Sequence, residues 1–202
     1  MSRINRTKLL DRQHDRRDAK LFIIATEGEA TEKQYFGLFQ STKIKVEVLA
    51  TGDDHKSAPQ YVLARLNDFK EMYDLNDDDM LWLVFDVDRW TSQNLSSVCR
   101  EAKQKNYYLA ISNPCFEVWL CLHFSDLNPQ DTSCKNFKAR LRMLLGSYNS
   151  SKLDLSLYDE PKIADAVARA KQLHPTATQN WPPTPGTHVY RLVEILLQSL
   201  NK

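Results

Sequence analysis

The chain is expected to fold as an α/β protein, with a mostly parallel central sheet flanked by helices and a helical C-terminal portion. Three observations predict this. Continuous apolar runs of strand length, Leu21–Ala25 and Met80–Phe85, have the character of strands buried on both faces. Segments of helical spacing fall between strand-like segments and give the order β-α-β-α-β-α-β-α over residues 20–124. After Ser125 the strand signals stop and only helical ones continue.

Each element has its own signal. Leu21–Ala25 is the first strand, and Thr31-x-x-Gln34 reads as a capping box opening a helix that buries Tyr35, Phe36 and Phe39. Ile44, Val46, Val48 and Ala50 alternate mostly with polar residues, a strand by period two. Gly52 through Lys56 reads as a loop. Ser57-x-x-Gln60 then caps a helix with Val62, Leu66, Phe69 and Tyr73 at helical spacing. Asn76–Asp79 is an acidic turn into the strand that starts at Met80. A helix over Leu95–Lys105, a strand over Tyr107–Ile111 and a strongly apolar helix over Phe116–Phe124 follow, the last started by the break at Asn113-Pro114. Asp126–Lys135 reads as a polar loop, with helices over Asn136–Leu145 and Glu160–Leu173. A Pro-rich stretch from Pro175 to Gly186 leads to a final amphipathic helix, His188–Leu200, with Thr187 as its N-cap.

The bulk properties bound the answer. At 202 residues, one substantial core is possible but not two large domains. The expected organisation is a basic arm at 1–19, an α/β core at 20–124 and a helical extension at 125–202 packed on that core. A net charge of +1 selects no partner, because it averages uneven parts. Residues 1–20 hold seven basic residues against three Asp. Arg3, Arg6, Arg12, Arg16 and Arg17 make this segment a candidate nucleic-acid contact, although a solvated tail has the same composition. The four cysteines show no C-x-x-C spacing, so no zinc site is expected. No secretory segment and no apolar run of membrane length is evident, so a cytoplasmic protein without a membrane partner is expected. Five glycines and no G-K-[ST] exclude a P-loop.

The chemistry concentrates at strand ends. The third strand delivers Asp86 and Asp88, two residues apart, so both can point to one spot beyond the sheet edge. Like charges held that close call for a cation or a shared proton. Glu27 ends the first strand, and Glu117 opens the apolar helix after the fourth, where a lone carboxylate is costly unless paired or metal-bound. In a parallel sheet all these groups fall at the carboxyl edge, where ligands bind. Hard oxygen donors suit Mg²⁺ or Mn²⁺. Glu32 gains from the helix dipole with no ligand, yet can equally lean into the site. Glu29 and His55 read as solvated loop residues, and His123 as a core or cap histidine rather than a catalytic one.

The order Glu then D-x-D resembles the Toprim domain of topoisomerases, primases and overcoming-lysogenization-defect nucleases. The blocks A-T-E-G-E-A-T-E-K-Q-Y-F (25–36), F-D-V-D (85–88) and S-N-P-C-F-E-V-W-L (112–120), with His123-Phe124, are similar to the RloB-like family. This resemblance implies a Toprim-like fold, a divalent metal and nuclease activity on DNA or RNA in phage defence, alongside an ABC-type ATPase encoded nearby. Carried over by position, it makes Glu27, Asp86 and Asp88 the catalytic and metal-binding acids. Glu32 and Glu117 become the additional acids of a two-metal site, with Glu27 and Asp86 on the first metal and Asp88, Glu32 and Glu117 completing the second. No general acid or phosphate clamp is assigned; Lys33, Lys56 and Arg89 are candidates, the last two as nucleic-acid contacts. Two other readings stay open. One is a haloacid-dehalogenase-like phosphatase with Asp86 as nucleophile. The other is a non-catalytic module whose acidic rim docks an ATPase or a basic peptide.

Overall fold

The computed structural model describes residues 19–52, 57–173 and 178–201. Five strands form one sheet: β1 Lys20–Thr26, β2 Ile44–Leu49, β3 Met80–Asp86, β4 Tyr108–Asn113 and β5 Gly186–Thr187, in the order β2-β1-β3-β4-β5. The first three pairings are parallel, and β5 runs antiparallel to the end of β4. Seven helices are described: α1 Thr31–Phe36, α2 Pro59–Met72, α3 Ser92–Gln104, α4 Glu117–Leu122, α5 Cys134–Leu145, α6 Glu160–Leu173 and α7 Val189–Leu200. The fold is thus the mixed α/β class expected. Among the described residues, no helix is long and apolar enough to cross a membrane.

The alternation of the strands builds two apolar layers. Leu21, Ile23, Ala25, Leu81, Leu83 and Phe85 face Val62, Leu66 and Phe69 of α2 and Leu95, Val98 and Cys99 of α3. Phe22, Ile24, Trp82 and Val84 face the other way, onto Tyr35 and Phe36 of α1 and Trp119 of α4. That second layer continues through Phe137, Ile163 and Leu192, so α5, α6 and α7 share a core with the sheet. Because α1 lies on one face and α2 and α3 on the other, the winding reverses between β1 and β3. This reversal opens a crevice beyond the carboxyl ends of those two strands.

Several local expectations need correction. Thr31 and Gln34 form no capping box: Ala30 is the N-cap and no side chain caps it. Thr31 Oγ1 instead donates to the Ser150 carbonyl at 2.8 Å, and Gln34 Oε1 accepts from Leu153 N at 2.9 Å, so both side chains tie α1 to the C-terminal half. Ser57 does not cap α2, which follows Ala58 with Pro59 in its first turn; proline supplies the helical φ there without a cap. The helix assigned to Asn136 begins at Cys134, because the box is Ser133 with Asn136. Thr187 is in β5, a strand too short to show a period, and His188 is the N-cap of α7. Thr187 Oγ1 still accepts from Val189 N at 3.1 Å and bonds Ser112 Oγ at 2.8 Å.

The acidic turn before β3 turns out to be structural at its last residue. The buried Asp79 carboxylate accepts from Leu21 N at 3.0 Å and from Asn76 N at 2.9 Å, joining the starts of β1 and β3. Asp79→Ala strips a charged acceptor from two backbone donors, so a loss of about 2–4 kcal/mol is expected. Urea denaturation checks this, and a loss below about 1 kcal/mol contradicts it.

Candidate active site

The crevice between β1 and β3 opens into a cleft of about 320 Å³ whose lining includes Glu27, Glu29, Glu32, Asp86, Asp88 and Glu117. Backbone pairing sets their positions. Glu27 N donates to Val84 O at 3.0 Å, which continues the β1–β3 ladder one residue past the strand. The Glu27 carboxylate then accepts from Asp86 N at 3.0 Å, so one acid caps the strand that carries the next. Val87 N donates to Ser112 O at 3.0 Å and Asp88 N to Pro114 O at 3.3 Å, which fastens the D-x-D turn to the end of β4. Glu117 is the first residue of α4 and accepts from Tyr148 OH at 3.0 Å.

Gly28 explains part of the E-G-x-x-T-E block. Its N–H donates to Glu32 Oε1 at 3.2 Å, and a Cβ at Gly28 would collide with the Glu32 carboxylate. Glycine therefore leaves the room in which Glu32 folds back over the turn. Gly28→Ala is expected to expel the Glu32 side chain while the fold survives, because only the end of a flexible side chain must move. A melting temperature within a few degrees of wild type, with a weakened response to Mn²⁺, is the expected result. An unchanged Mn²⁺ response removes Glu32 from the candidate cation site.

Burial shapes the electrostatics. Glu27, Glu32 and Glu117 are 9%, 4% and 6% exposed. Desolvation pushes the Glu32 carboxyl up to about 7, with the charges of Glu117 and Glu27 adding to it. Asp86 is held well above the usual carboxylate range, first by burial and then by Glu32, Glu27 and Glu117. Glu27 is also raised by burial, against the opposing pull of the Asp86 N–H. The Asp86 carboxyl receives no hydrogen bond from a described residue, so its charge has no internal answer.

Several carboxylates have taken local partners: Gly28 N for Glu32, Tyr148 and Lys138 for Glu117, and the Cys134 thiol for Asp88 at 3.2 Å. Among the described residues, no three acidic, His or Cys side chains stand close enough to form a ready metal cage. The donor set nonetheless fits a hard divalent cation. Glu27, Glu32, Asp86, Asp88 and Glu117 offer only oxygen and share one cleft, and burial beside the other charges raises the proton affinity of Glu32, Asp86 and Glu27.

The C-terminal half supplies groups that the sequence pattern did not single out. Lys138, one turn beyond Cys134 on α5, reaches Glu117 Oε1 at 3.4 Å, and that carboxylate raises its proton affinity. Tyr148, Ser150 and Ser151 come from the segment after α5. The one available signal was the i, i+4 spacing of Cys134 and Lys138 beside the buried Phe137 and Leu141. Arg89 lines the cleft, 3.9 Å from Asp88 and with a 71% exposed side chain. Lys33 is exposed and does not line it.

His123 belongs to the core. Its Nδ1 meets the Trp119 carbonyl at 2.9 Å, so Nδ1 carries the proton and Nε2 accepts from Tyr35 OH at 3.0 Å. Burial lowers its affinity for a second proton to about 4. Arg3, Arg6, Arg12, Arg16, Arg17, His55 and Lys56 lie outside the described residues.

The fold and cleft together define an α/β protein with an acid-lined site at the switch point of a mostly parallel sheet. The chain matches the RloB-like protein family over residues 22–196, and it belongs to that family. Comparison with curated proteins and with solved structures gave no match.

Proposed function

We propose that the chain is a divalent-metal-dependent nuclease of Toprim type, cleaving phosphodiester bonds of DNA or RNA in anti-phage defence. The observation that carries this reading is the convergence of five carboxylates from two strand ends and two helix starts on one cleft, beside Lys138 and Arg89. Glu27, Asp86, Asp88, Glu32 and Glu117 would hold Mg²⁺ or Mn²⁺. Bound divalent ions would activate water and stabilise the oxygens of an in-line displacement. Lys138 and Arg89 bind and orient the phosphate, and Tyr148 fixes the Glu117 carboxylate through its hydroxyl. Glu32, with a proton affinity near neutrality, holds or releases a proton within the cleft.

Labelled DNA and RNA incubated with the chain and Mn²⁺ or Mg²⁺ test the reading. Cleavage that requires the cation supports it. Turnover of a small phosphate ester with metallofluoride trapping at Asp86, and no strand cleavage, would replace it with the phosphatase reading. The ABC-type ATPase partner rests on the family resemblance and is tested by co-purification with the neighbouring gene product.

The basic residues at the N-terminus are proposed to tether nucleic acid. Removing residues 2–17 is expected to leave the melting temperature within a few degrees. Nucleic-acid binding should weaken, with a salt slope shallower by about 0.7–0.9 for each phosphate no longer neutralised. Unchanged affinity and slope would leave that segment without this role.

A further inference from the structure

We infer that the chain has a second ligand pocket, at the sheet edge opposite the acidic cleft, which takes a base-plus-phosphate group. The group is either a free nucleotide or an unpaired nucleotide of a bound strand. The pocket measures about 280 Å³, near the roughly 300 Å³ lower bound of small-molecule sites. Trp82 and Tyr108 stand side by side in the β3–β4 register and stack with centroids 4.9 Å apart and planes 23° from parallel. Trp82 is buried, whereas Tyr108 remains 47% exposed, a large aromatic surface left to solvent at the mouth of the pocket. A planar base stacked there extends an existing aromatic pair. The Trp82 indole N–H, buried in the same wall, has no acceptor among the described residues.

The charge around this aromatic pair is the reverse of that in the first cleft. Lys103, in the last turn of α3, and Arg191, in the first turn of α7, line the pocket, and none of its described lining residues is acidic. The Arg191 guanidinium lies 5.8 Å from the Tyr190 ring centroid, which restricts its orientation. Two cations flanking an exposed aromatic ring select a ligand that is both flat and anionic. Gln179 and Asn180 add amides able to read the edge of a base, and the Asn180 backbone carbonyl is bonded to His188 Nδ1 at 3.2 Å. Trp82 precedes Asp86 by four strand residues, about 13 Å, so this site is distinct from the acidic cleft. It shares no residue with the nuclease reading and stands or falls separately.

Isothermal titration of the whole chain with the four nucleoside monophosphates, inorganic phosphate and a six-residue single-stranded oligonucleotide tests the inference. A nucleotide or the oligonucleotide is expected to bind at least about tenfold tighter than phosphate, the scale of one stacking interaction. Which of the two binds more tightly identifies the source of the group. Tyr108→Ala should erase that advantage, Tyr108→Phe should keep it, and Arg191→Gln should weaken every probe. Phosphate binding as tightly as every nucleotide, a Tyr108→Ala variant with wild-type affinity, or no binding at millimolar concentration would each overturn the inference.

Discussion

Mn²⁺ or Mg²⁺ is expected to raise the melting temperature of the wild-type chain, and replacing Asp86 and Asp88 together by alanine is expected to abolish that rise. At ten times its dissociation constant a cation stabilises the folded state by about 1.4 kcal/mol. For a chain of this size that is roughly 3–6 °C. The double variant should also melt higher than wild type without metal, because ionising the part-buried Asp86 is opposed by desolvation and by Glu32, Glu27 and Glu117. This combination separates a cation site from a merely structural acid pair, whose removal would lower stability under both conditions. A double variant that keeps the full metal response would take the site away from these residues.

The same carboxylates set the pH dependence. Asp86, Glu27 and Glu32 have raised proton affinities in the fold, up to about 7 for Glu32. The folded state therefore keeps protons that the unfolded chain releases above about pH 4. The stability this contributes is complete below that pH and is lost as pH rises through the folded values. Proton and cation compete for the same oxygens, so the Mn²⁺-induced rise should grow between about pH 5 and about pH 8. Glu32→Gln should flatten part of the metal-free decline. Melting curves across that range, with and without Mn²⁺, check both.

Much of the architecture is legible in local sequence because the central parallel strands β1 and β3 bury both faces. Leu21–Ala25 and Met80–Phe85 could hardly be anything else, and the D-x-D at the end of β3 follows from the strand's own length. The caps were less legible. Thr31, Gln34 and Ser57 carry cap-like side chains, but Thr31 and Gln34 are used by backbone groups from Ser150 and Leu153, more than a hundred residues away. Tyr148 has no signal as a site residue for the same reason, and Lys138 only its helical spacing from Cys134. Their place beside Glu117 depends on how α5 and the segment after it pack on α4, a tertiary arrangement that local sequence does not fix. The two-residue β5 is fixed by its bonds to Ser112 and Asn113, not by its own sequence.

Glu27→Gln is expected to lower cation-dependent strand cleavage by at least about a hundredfold while the fold survives. The structural task of Glu27 is to accept one hydrogen bond from Asp86 N, and a glutamine carbonyl oxygen can accept the same bond. The backbone at Glu27 is held independently, by its N–H on Val84 O and by Thr51 Oγ1 donating to its carbonyl at 2.7 Å. What glutamine cannot supply is negative charge at the point where β1 and β3 diverge. Removing one buried acid also eases the repulsion on Asp86, so the metal-free melting temperature should hold or rise. Loss of cleavage together with loss of fold would indicate a structural role, and Glu27→Ala, which deletes the acceptor, gives the reference for that outcome. A well-folded Glu27→Gln variant that cuts DNA or RNA at the wild-type rate would place the catalytic charge elsewhere and end the Toprim-type assignment.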